Sequence, residues 1–395
     1  MRLLVAILVL LISVSGFAQN RKKTTKRPIV KTAAKPTPRP APKPVPAEEK
    51  FSDEDLSPKS APVTGLESGE TKYPLHSTLH NTPEGRAQLL GTIGMSFGSS
   101  SVETLNTPGG TSTDEYETKG IFSLIDLSYG VLSQLDVGLT FGYETSTQKN
   151  VSYKDTSGNI GVPLEPDAKT KGLYDPTVFA SYRPIETDFV VDLGAALRLG
   201  FMGAERSTPE DTNLDPFQRG DKVSDSNFAK GSYGVELGAR AGYHLSDRIN
   251  LVAEVKGEYS FAGTQNYKSA LFGDVNMEQD ADTEFSARAD VEYFLTPRFI
   301  ITPFAELAMN PKQKLNYRVG LQNTNSETAA FKTYSVGVMG SYLIQSDLAL
   351  KAGYSYTSSE SAKSQSSING APYTVDSNAK DRQKHSIIAS VAYEF

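Results

Sequence analysis

The chain has 395 residues, a formal net charge of -6 and a mean hydropathy of -0.36, values typical of a soluble protein. It has no cysteine, which excludes disulfides and thiolate metal sites. The low mean hydropathy does not exclude a membrane β-barrel, because only alternate residues of barrel strands face lipid.

The first 18 residues have the pattern of an export signal. Arg2 precedes the apolar run LLVAILVLLISV, and the small-residue site Gly16-Phe17-Ala18 follows it. This pattern predicts a secretory signal peptide over residues 1–18. The run is too short to be preferred as a transmembrane helix, and no cysteine follows the cleavage site to accept a lipid. We therefore expect the mature chain to leave the cytoplasm.

Residues 19–84 are predicted to form a disordered arm and linker. From Asn20 to Ala47, Lys or Arg alternates with Pro, and almost nothing there can build a core. Such basic charge suits a polyanion, but export argues against nucleic acid as the partner. The arm is then either a solvated spacer or a segment weakly attracted to peptidoglycan or anionic lipid.

Two histidines in the linker, His76 and His80, are four residues apart. This spacing could place both on one helix face, where they could hold a metal ion. However, no third ligand is near, and Pro74 and Pro83 leave room for barely two turns. We therefore favour a short capping turn before the first strand, and we predict no metal site and no cofactor.

From Arg86 onward the chain repeats a strand of alternating polarity, a tight turn, a second such strand and a long polar loop. The strands have roughly ten to fifteen residues, which is longer than most globular strands and suits a tilted transmembrane strand. Tyr and Phe cluster toward the strand ends, as in an aromatic girdle. Short turns on one side and long loops on the other complete the pattern of a membrane barrel rather than a soluble sandwich. The five tight turns are VLSQ, PIET, LSDR, LTPR and IQSD.

One opening strand, five hairpins and a closing strand make about 12 strands. The sequence thus predicts an all-β protein: an antiparallel up-and-down transmembrane β-barrel over residues 85–395, preceded by the disordered arm. An even number of strands places both ends of the barrel on the side of the short turns. In an outer membrane that side is the periplasm, where the arm would lie.

The last strand, Gln383 to Phe395, has an apolar residue at every second position and ends on an aromatic residue. It resembles the assembly signal of bacterial outer-membrane β-barrels. The resemblance implies the outer membrane of a Gram-negative-type bacterium, with membrane lipid and the barrel-insertion machinery as partners. The residues that carry it are Ile387, Ala389, Val391, Tyr393 and Phe395.

A stretch of about sixty residues resembles outer-membrane transporters associated with phenol degradation, of the meta-pathway type. The family pattern is a strand ending in Tyr-Gly, a short turn, a strand of alternating Leu and Gly, and a later strand ending in Tyr-Arg. The matching residues are Tyr129, Gly130, Leu135 to Tyr143, Gly172, Asp175, Tyr182 and Arg183. The resemblance implies a barrel of the twelve-stranded type with an uptake role, and it specifies no substrate. The basic Pro-rich arm departs from the family pattern.

The residues assigned to the inner face carry charges of both signs. Unpaired charges would be costly in a narrow lumen, so they must pair with one another or meet water. We consider a ladder of ion pairs that fills the lumen, and a water-filled channel whose charged lining selects solutes. The predicted lumen residues are Asp126, Asp136, Asp192, Arg198, Glu236, Arg240, Glu254, Lys256, Glu258, Arg288, Asp290, Glu292, Glu306 and Lys351.

Catalytic patterns are weak. The chain has 4 His, and the two in predicted strands, His244 and His385, do not lie beside a Ser in a GxSxG elbow. We predict that the protein is not an enzyme. The sequence favours a narrow channel for passive uptake of small solutes. The alternative is a structural protein with a filled barrel whose basic arm contacts the cell envelope.

Overall fold

The computed structural model describes residues 73–106, 110–161, 168–200, 204–207, 232–269, 273–319, 322–368 and 374–395. The predicted signal peptide and most of the predicted arm lie outside the described residues. In the described ranges, no helix has the length and apolar character needed to cross a membrane.

The described residues after Glu84 are almost entirely β-strand. In chain order the strands are β1 (Ala87–Asn106), β2 (Gly110–Leu132), β3 (Leu135–Lys154), β4 (Ile160–Gly161), β5 (Ala168–Leu173), β6 (Thr177–Glu186), β7 (Phe189–Arg198), β8 (Ala204–Ser207), β9 (Gly234–Ser246), β10 (Ile249–Ser260), β11 (Gly263–Ser269), β12 (Gly273–Gln279), β13 (Asp282–Thr296), β14 (Phe299–Asn310), β15 (Gln313–Val319), β16 (Gln322–Thr328), β17 (Phe331–Gln345), β18 (Leu348–Ser359), β19 (Ala362–Ile368) and β20 (Thr374–Glu394).

Twelve of these strands form a closed antiparallel barrel. Their order around the wall is β1, β2, β3, β6, β7, β9, β10, β13, β14, β17, β18 and β20, and β20 returns to β1. This confirms the predicted barrel of about twelve strands. The five predicted turns all lie at one end of the barrel, which we call the short-turn end. The remaining strands pair with one another, or with β3 and β20, beyond the opposite end.

The opposite end differs from the expectation of long polar loops, because paired strands continue there. The β1–β2 ladder runs without interruption from Ala87 and Tyr129 to Asn106 and Gly110. The hydrophobic alternation ends where a strand leaves the apolar medium, whereas the backbone hydrogen bonds need no apolar face to continue. Sequence alternation therefore underestimates the strand lengths.

The two faces of the wall differ sharply in polarity. In β10, the side chain of Val255 is 56% exposed on the outer face, while Asn250 and Val252 are buried on the inner face. Large apolar side chains from most of the barrel strands are likewise exposed on the outer face. A continuous apolar surface of this kind would be unfavourable in water and matches a lipid-facing belt.

The barrel closes along the β1–β20 seam. Register pairs run from Gln88 with Glu394 to Ser99 with Gln383, and a bulge follows at Ser99/Ser101. At the edge, the amide of Phe395 donates to the carbonyl of Ala87 at 2.8 Å, and the reverse bond has the same length. The five apolar residues of the predicted assembly signal are all exposed on the outer face of this seam.

Candidate functional site

Residues 73–84 fold into the barrel at the short-turn end, and we call this segment the plug. Asn81 donates through Nδ2 to the carbonyl of Ser133 in the first short turn at 3.1 Å, and Glu84 accepts from the Ser133 amide. The sequence interpretation placed these residues in a disordered linker, whereas the structure orders them within the lumen. The buried plug residues are Tyr73, Leu75, His76, Ser77, Leu79, Thr82 and Pro83.

The apolar side chains of the plug pack on two separate parts of the wall. Tyr73 and Leu79 form one buried cluster with Val190 of β7 and Val252 of β10. Leu75 packs in a second cluster made by the wall residues Ala349, Ala392, Leu90 and Leu343. The plug therefore spans the lumen from one side to the other.

Glu292 of β13 anchors the turn of the plug. Its side chain has no exposed surface, and its carboxylate accepts from Ser77 Oγ at 2.9 Å and from the amide of Thr78. Asn250 of β10 donates to the same carboxylate at 2.9 Å. Several donors thus stabilise a buried charge that would otherwise be costly.

Two arginines bind backbone carbonyls of the plug and share one wall carboxylate. Arg183 donates to Leu79 O at 2.7 Å and to Asp192 Oδ1 at 2.7 Å. Arg240 donates to Thr78 O at 2.7 Å and to Asp192 Oδ2 at 2.6 Å. Because the arginines are oriented by Asp192, they offer the plug preorganised, charge-assisted donors.

Arg183 is not among the lumen residues predicted from the sequence. It lies beside Pro184, where a register shift between Tyr182 and Ile185 interrupts the alternation that identified the others. The Tyr182-Arg183 pair of the family resemblance was the one sequence signal that pointed to it.

The second half of the plug binds β2, β3 and the closing strand β20. The amide of Thr82 donates to Asp136 Oδ2 at 3.0 Å, and its hydroxyl lies 2.8 Å from Ser128 Oγ. Nε2 of His80 lies 3.2 Å from Glu394 Oε2 of β20. The plug thus contacts both sides of the region where the barrel closes.

Two wall glycines leave room for the plug. A Cβ on Gly242 of β9 would lie 2.5 Å from Leu79 Cδ2, and a Cβ on Gly130 of β2 would lie 2.1 Å from the carbonyl oxygen of Pro83. Both contacts are far inside van der Waals distance, so larger residues could not coexist with the seated plug. The wall is therefore shaped to the segment it holds.

The two plug histidines do not point to a common ligand. His80 Nδ1 lies 2.9 Å from the carbonyl of Tyr73, and its other nitrogen faces Glu394. His76 is 1% exposed, and its ring lies edge-on to Phe294 with centroids 6.5 Å apart. Across the described ranges, no group of three or more His, Cys, Asp or Glu side chains is arranged to hold a metal ion.

Burial, together with the nearby positive charges of Lys351 and His80, lowers the pKa of His76 to about 4. The backbone of Pro297 opposes this shift. His76 is therefore neutral when the plug is seated at neutral pH.

The fourteen predicted lumen residues share the face of the wall that carries the buried side chains. Several form ion pairs there: Arg198 with Glu258, Lys256 with Glu254 at 3.0 Å, and Arg288 with Asp290 at 2.8 Å. Asp126 accepts from Thr140, and Arg288 also lies over the ring of Phe304. The structure thus brings Asp136, Asp192, Arg240 and Glu292 to the plug and distributes the rest along the inner wall.

Solved structures similar to this chain are outer-membrane proteins of differing activity. One is the COG4313 outer membrane channel from Pseudomonas putida F1, with 13% identity, 77% of this chain and 95% of that chain covered, and a TM-score of 0.43. A mutant of the TodX monoaromatic hydrocarbon channel has 12% identity and a TM-score of 0.36, and the match covers 80% of this chain and 91% of that chain. The outer membrane protease OmpT from Escherichia coli has 8% identity, coverages of 79% and 97%, and a TM-score of 0.34.

No curated protein matches the chain in sequence. The profile of one family, described as outer membrane protein beta-barrel domain, matches residues 194–395, which is slightly more than half of the chain. The chain therefore belongs to the outer membrane protein β-barrel domain family.

Proposed function

We propose that this protein is a gated outer-membrane channel for passive passage of small polar solutes, and that the plug is its gate. The proposal rests on the way in which the plug closes the lumen at the short-turn end. A separate segment fills the lumen there, in a recess of the wall that includes Gly130 and Gly242. A closure of this kind can be removed without unfolding the barrel.

The contacts of the plug support a movable gate. In the described residues, the backbone of the plug pairs with the barrel in one isolated bridge, between Glu84 and Gly130. Hydrogen bonds that involve wall side chains, together with small apolar contacts, hold the remainder of the plug. Release of the plug would therefore break none of the strand ladders that keep the barrel closed.

The charges of the inner wall favour cations as the permeant species. The predicted lumen set contains nine carboxylates and five basic residues, and Arg183 adds a sixth basic residue. An excess of fixed negative charge in a confined aqueous path raises the local concentration of cations.

The orientation of the protein is part of the same proposal. The short-turn end would face the periplasm, where the basic arm that precedes the plug would meet peptidoglycan or anionic lipid. The outward apolar residues of β20 would be recognised by the barrel-insertion machinery.

A structural barrel without transport is the second candidate. The complete burial of Glu292 and Leu79 favours it, because so well packed a plug could serve only to fill and stiffen the barrel. Electrical recording distinguishes the two candidates.

We expect purified full-length protein in planar bilayers to show discrete, cation-selective openings that become more frequent on acidification. The pKa of His76 is lowered in the seated plug. Between pH 6.5 and pH 4, His76 is therefore protonated in the released plug and neutral in the seated plug. The contribution of neutral His76 to the stability of the seated state is therefore fully present above pH 6.5 and is lost as the pH falls toward 4. From pH 7 to pH 5 the ratio of released to seated plug should rise about twentyfold.

His76→Phe keeps an aromatic ring and removes the titration, so it should abolish the acid effect while leaving openings at neutral pH. Acid activation that persists unchanged in His76→Phe would assign the effect to another group. Absence of current in the parent protein at both pH values, and also in a variant with a displaced plug, would favour the structural barrel.

A further inference from the structure

A polar cavity of about 280 Å³ lies between the plug and the inner wall. The plug contributes Leu75, Ser77, Thr78 and His80 to its lining. The wall contributes three basic side chains, two acidic ones and two others: Arg240, Arg288, Lys351, Glu254, Asp290, Gln88 and Val252. Taking about 30 Å³ per water, this space equals roughly nine waters and suits a molecule of a few heavy atoms.

All but one of the charged residues that line the cavity have a partner of opposite charge in direct contact. Arg240 contacts Asp192 at 2.6 Å, Arg288 contacts Asp290 at 2.8 Å, and Glu254 contacts Lys256 at 3.0 Å. The remaining charge is that of Lys351 on β18, which has no hydrogen bond and no ion pair with any described residue.

The surroundings of Lys351 make its lack of a contact costly. It lies on the inner face, at the level of the buried Ser341 and Ser390. Glu292 attracts its charge but uses its carboxylate oxygens to accept bonds from Ser77, Thr78 and Asn250. A partly buried ammonium group without a direct acceptor is destabilising, and an anion in the cavity would supply that acceptor.

The plug side of the same cavity has a second orphaned group. The hydroxyl of Thr78 is buried, and within the described ranges it has no hydrogen-bond partner. A buried hydroxyl without a partner also costs free energy. The cavity thus has one cationic donor on its wall and one neutral donor on the plug.

We propose that this cavity binds a small carboxylate anion. One carboxylate oxygen would accept a hydrogen bond from the Lys351 ammonium, and the other would accept one from the Thr78 hydroxyl. The ligand supplies one negative charge to a lining with three positive and two negative residues. Because it bridges wall and plug, the bound carboxylate stabilises the seated plug. This consequence for gating rests on the proposed function, whereas binding itself does not.

The test is isothermal titration calorimetry of the full-length protein in detergent at neutral pH and constant ionic strength. Sodium acetate should bind with a stoichiometry of one, and acetamide, its uncharged analogue, should produce no binding heat. Lys351→Met keeps the apolar stem and should raise the Kd for acetate about tenfold or more, as expected for loss of a hydrogen bond to a charged group. Thr78→Val keeps the shape of the side chain and should raise it severalfold.

Lys332→Met is the matched control, because Lys332 is exposed and lies far from this cavity in the β17 strand. It should bind acetate like the parent. The proposal is overturned if the parent shows no acetate binding, or if correctly folded Lys351→Met binds acetate as tightly as Lys332→Met. Bilayer recording tests the proposed function separately from the binding site. If the channel exists, acetate should reduce its opening. Acetate binding by an electrically silent barrel would refute the channel and would leave the binding site intact.

Discussion

Gly242→Val should displace the plug and convert a mostly closed channel into a mostly open one. A Cβ at this position would lie 2.5 Å from Leu79 Cδ2 and 2.8 Å from Cδ1, and valine adds two further methyl groups. Leu79 is fully buried between Tyr73, Val190 and Val252, so it can move away from residue 242 only by displacing these neighbours. Such overpacking costs about 1 to 3 kcal/mol.

This cost falls on the seated state alone, because the released plug no longer contacts residue 242. The open probability in planar bilayers should therefore rise about fivefold to more than a hundredfold. Gly194→Val is the matched control: position 194 is on the inner face of β7, and a Cβ there meets only the Gly238 carbonyl oxygen at 4.0 Å. It adds the same bulk to the lumen without touching the plug and should not increase opening. Equal opening in both variants would show that the plug is not the gate.

Val255→Arg should prevent the barrel from accumulating in the membrane. Val255 is 56% exposed on the outer face of β10, beside Ala239 and Ala287 of the neighbouring strands. A charge on the lipid face near the bilayer midplane costs about 2 to 4 kcal/mol. The folded yield in lipid, measured by heat-modifiable migration, should fall sharply.

The control for this prediction neutralises the adjacent inner-face positions. Glu254 and Lys256 form an ion pair at 3.0 Å in the lumen, so changing both to Gln removes two charges that compensate one another. The double variant should fold nearly as well as the parent. A one-residue shift of register would exchange the faces. Normal folding of Val255→Arg with failure of the double variant would show that the faces are reversed.

The architecture of the wall could be predicted from the sequence because its signals are local. Alternation of period two identifies the faces of each strand, and short polar turns such as LSDR and LTPR locate the hairpins. Together they give the strand number, and closure follows because an open edge would leave unpaired backbone groups in lipid. The polar ends of strands such as β1 and β2 were missed, because both faces are wet there and the alternation disappears.

The plug could not be predicted in the same way. Its apolar residues Tyr73, Leu75 and Leu79 follow no regular period, and the segment is short and contains proline. What orders it is a set of distant partners, including Arg183 and Glu292, that become neighbours only when the barrel closes. Its interleaved hydroxyls and apolar side chains, in YPLHSTL, were the available signal. Such a pattern predicts burial only when a matching recess is known.

The contact between the plug and Glu394 has a consequence for biogenesis. Glu394 lies on β20, which follows the other eleven strands of the wall in the chain, and it also contacts Arg86 at 2.8 Å at the start of the wall. The recess that receives the plug is therefore incomplete until β20 has been made and the β1–β20 seam has formed. A barrel that lacks β20 lacks one of the groups that hold the plug. A seated plug is therefore a sign that β20 is in place and the wall is closed.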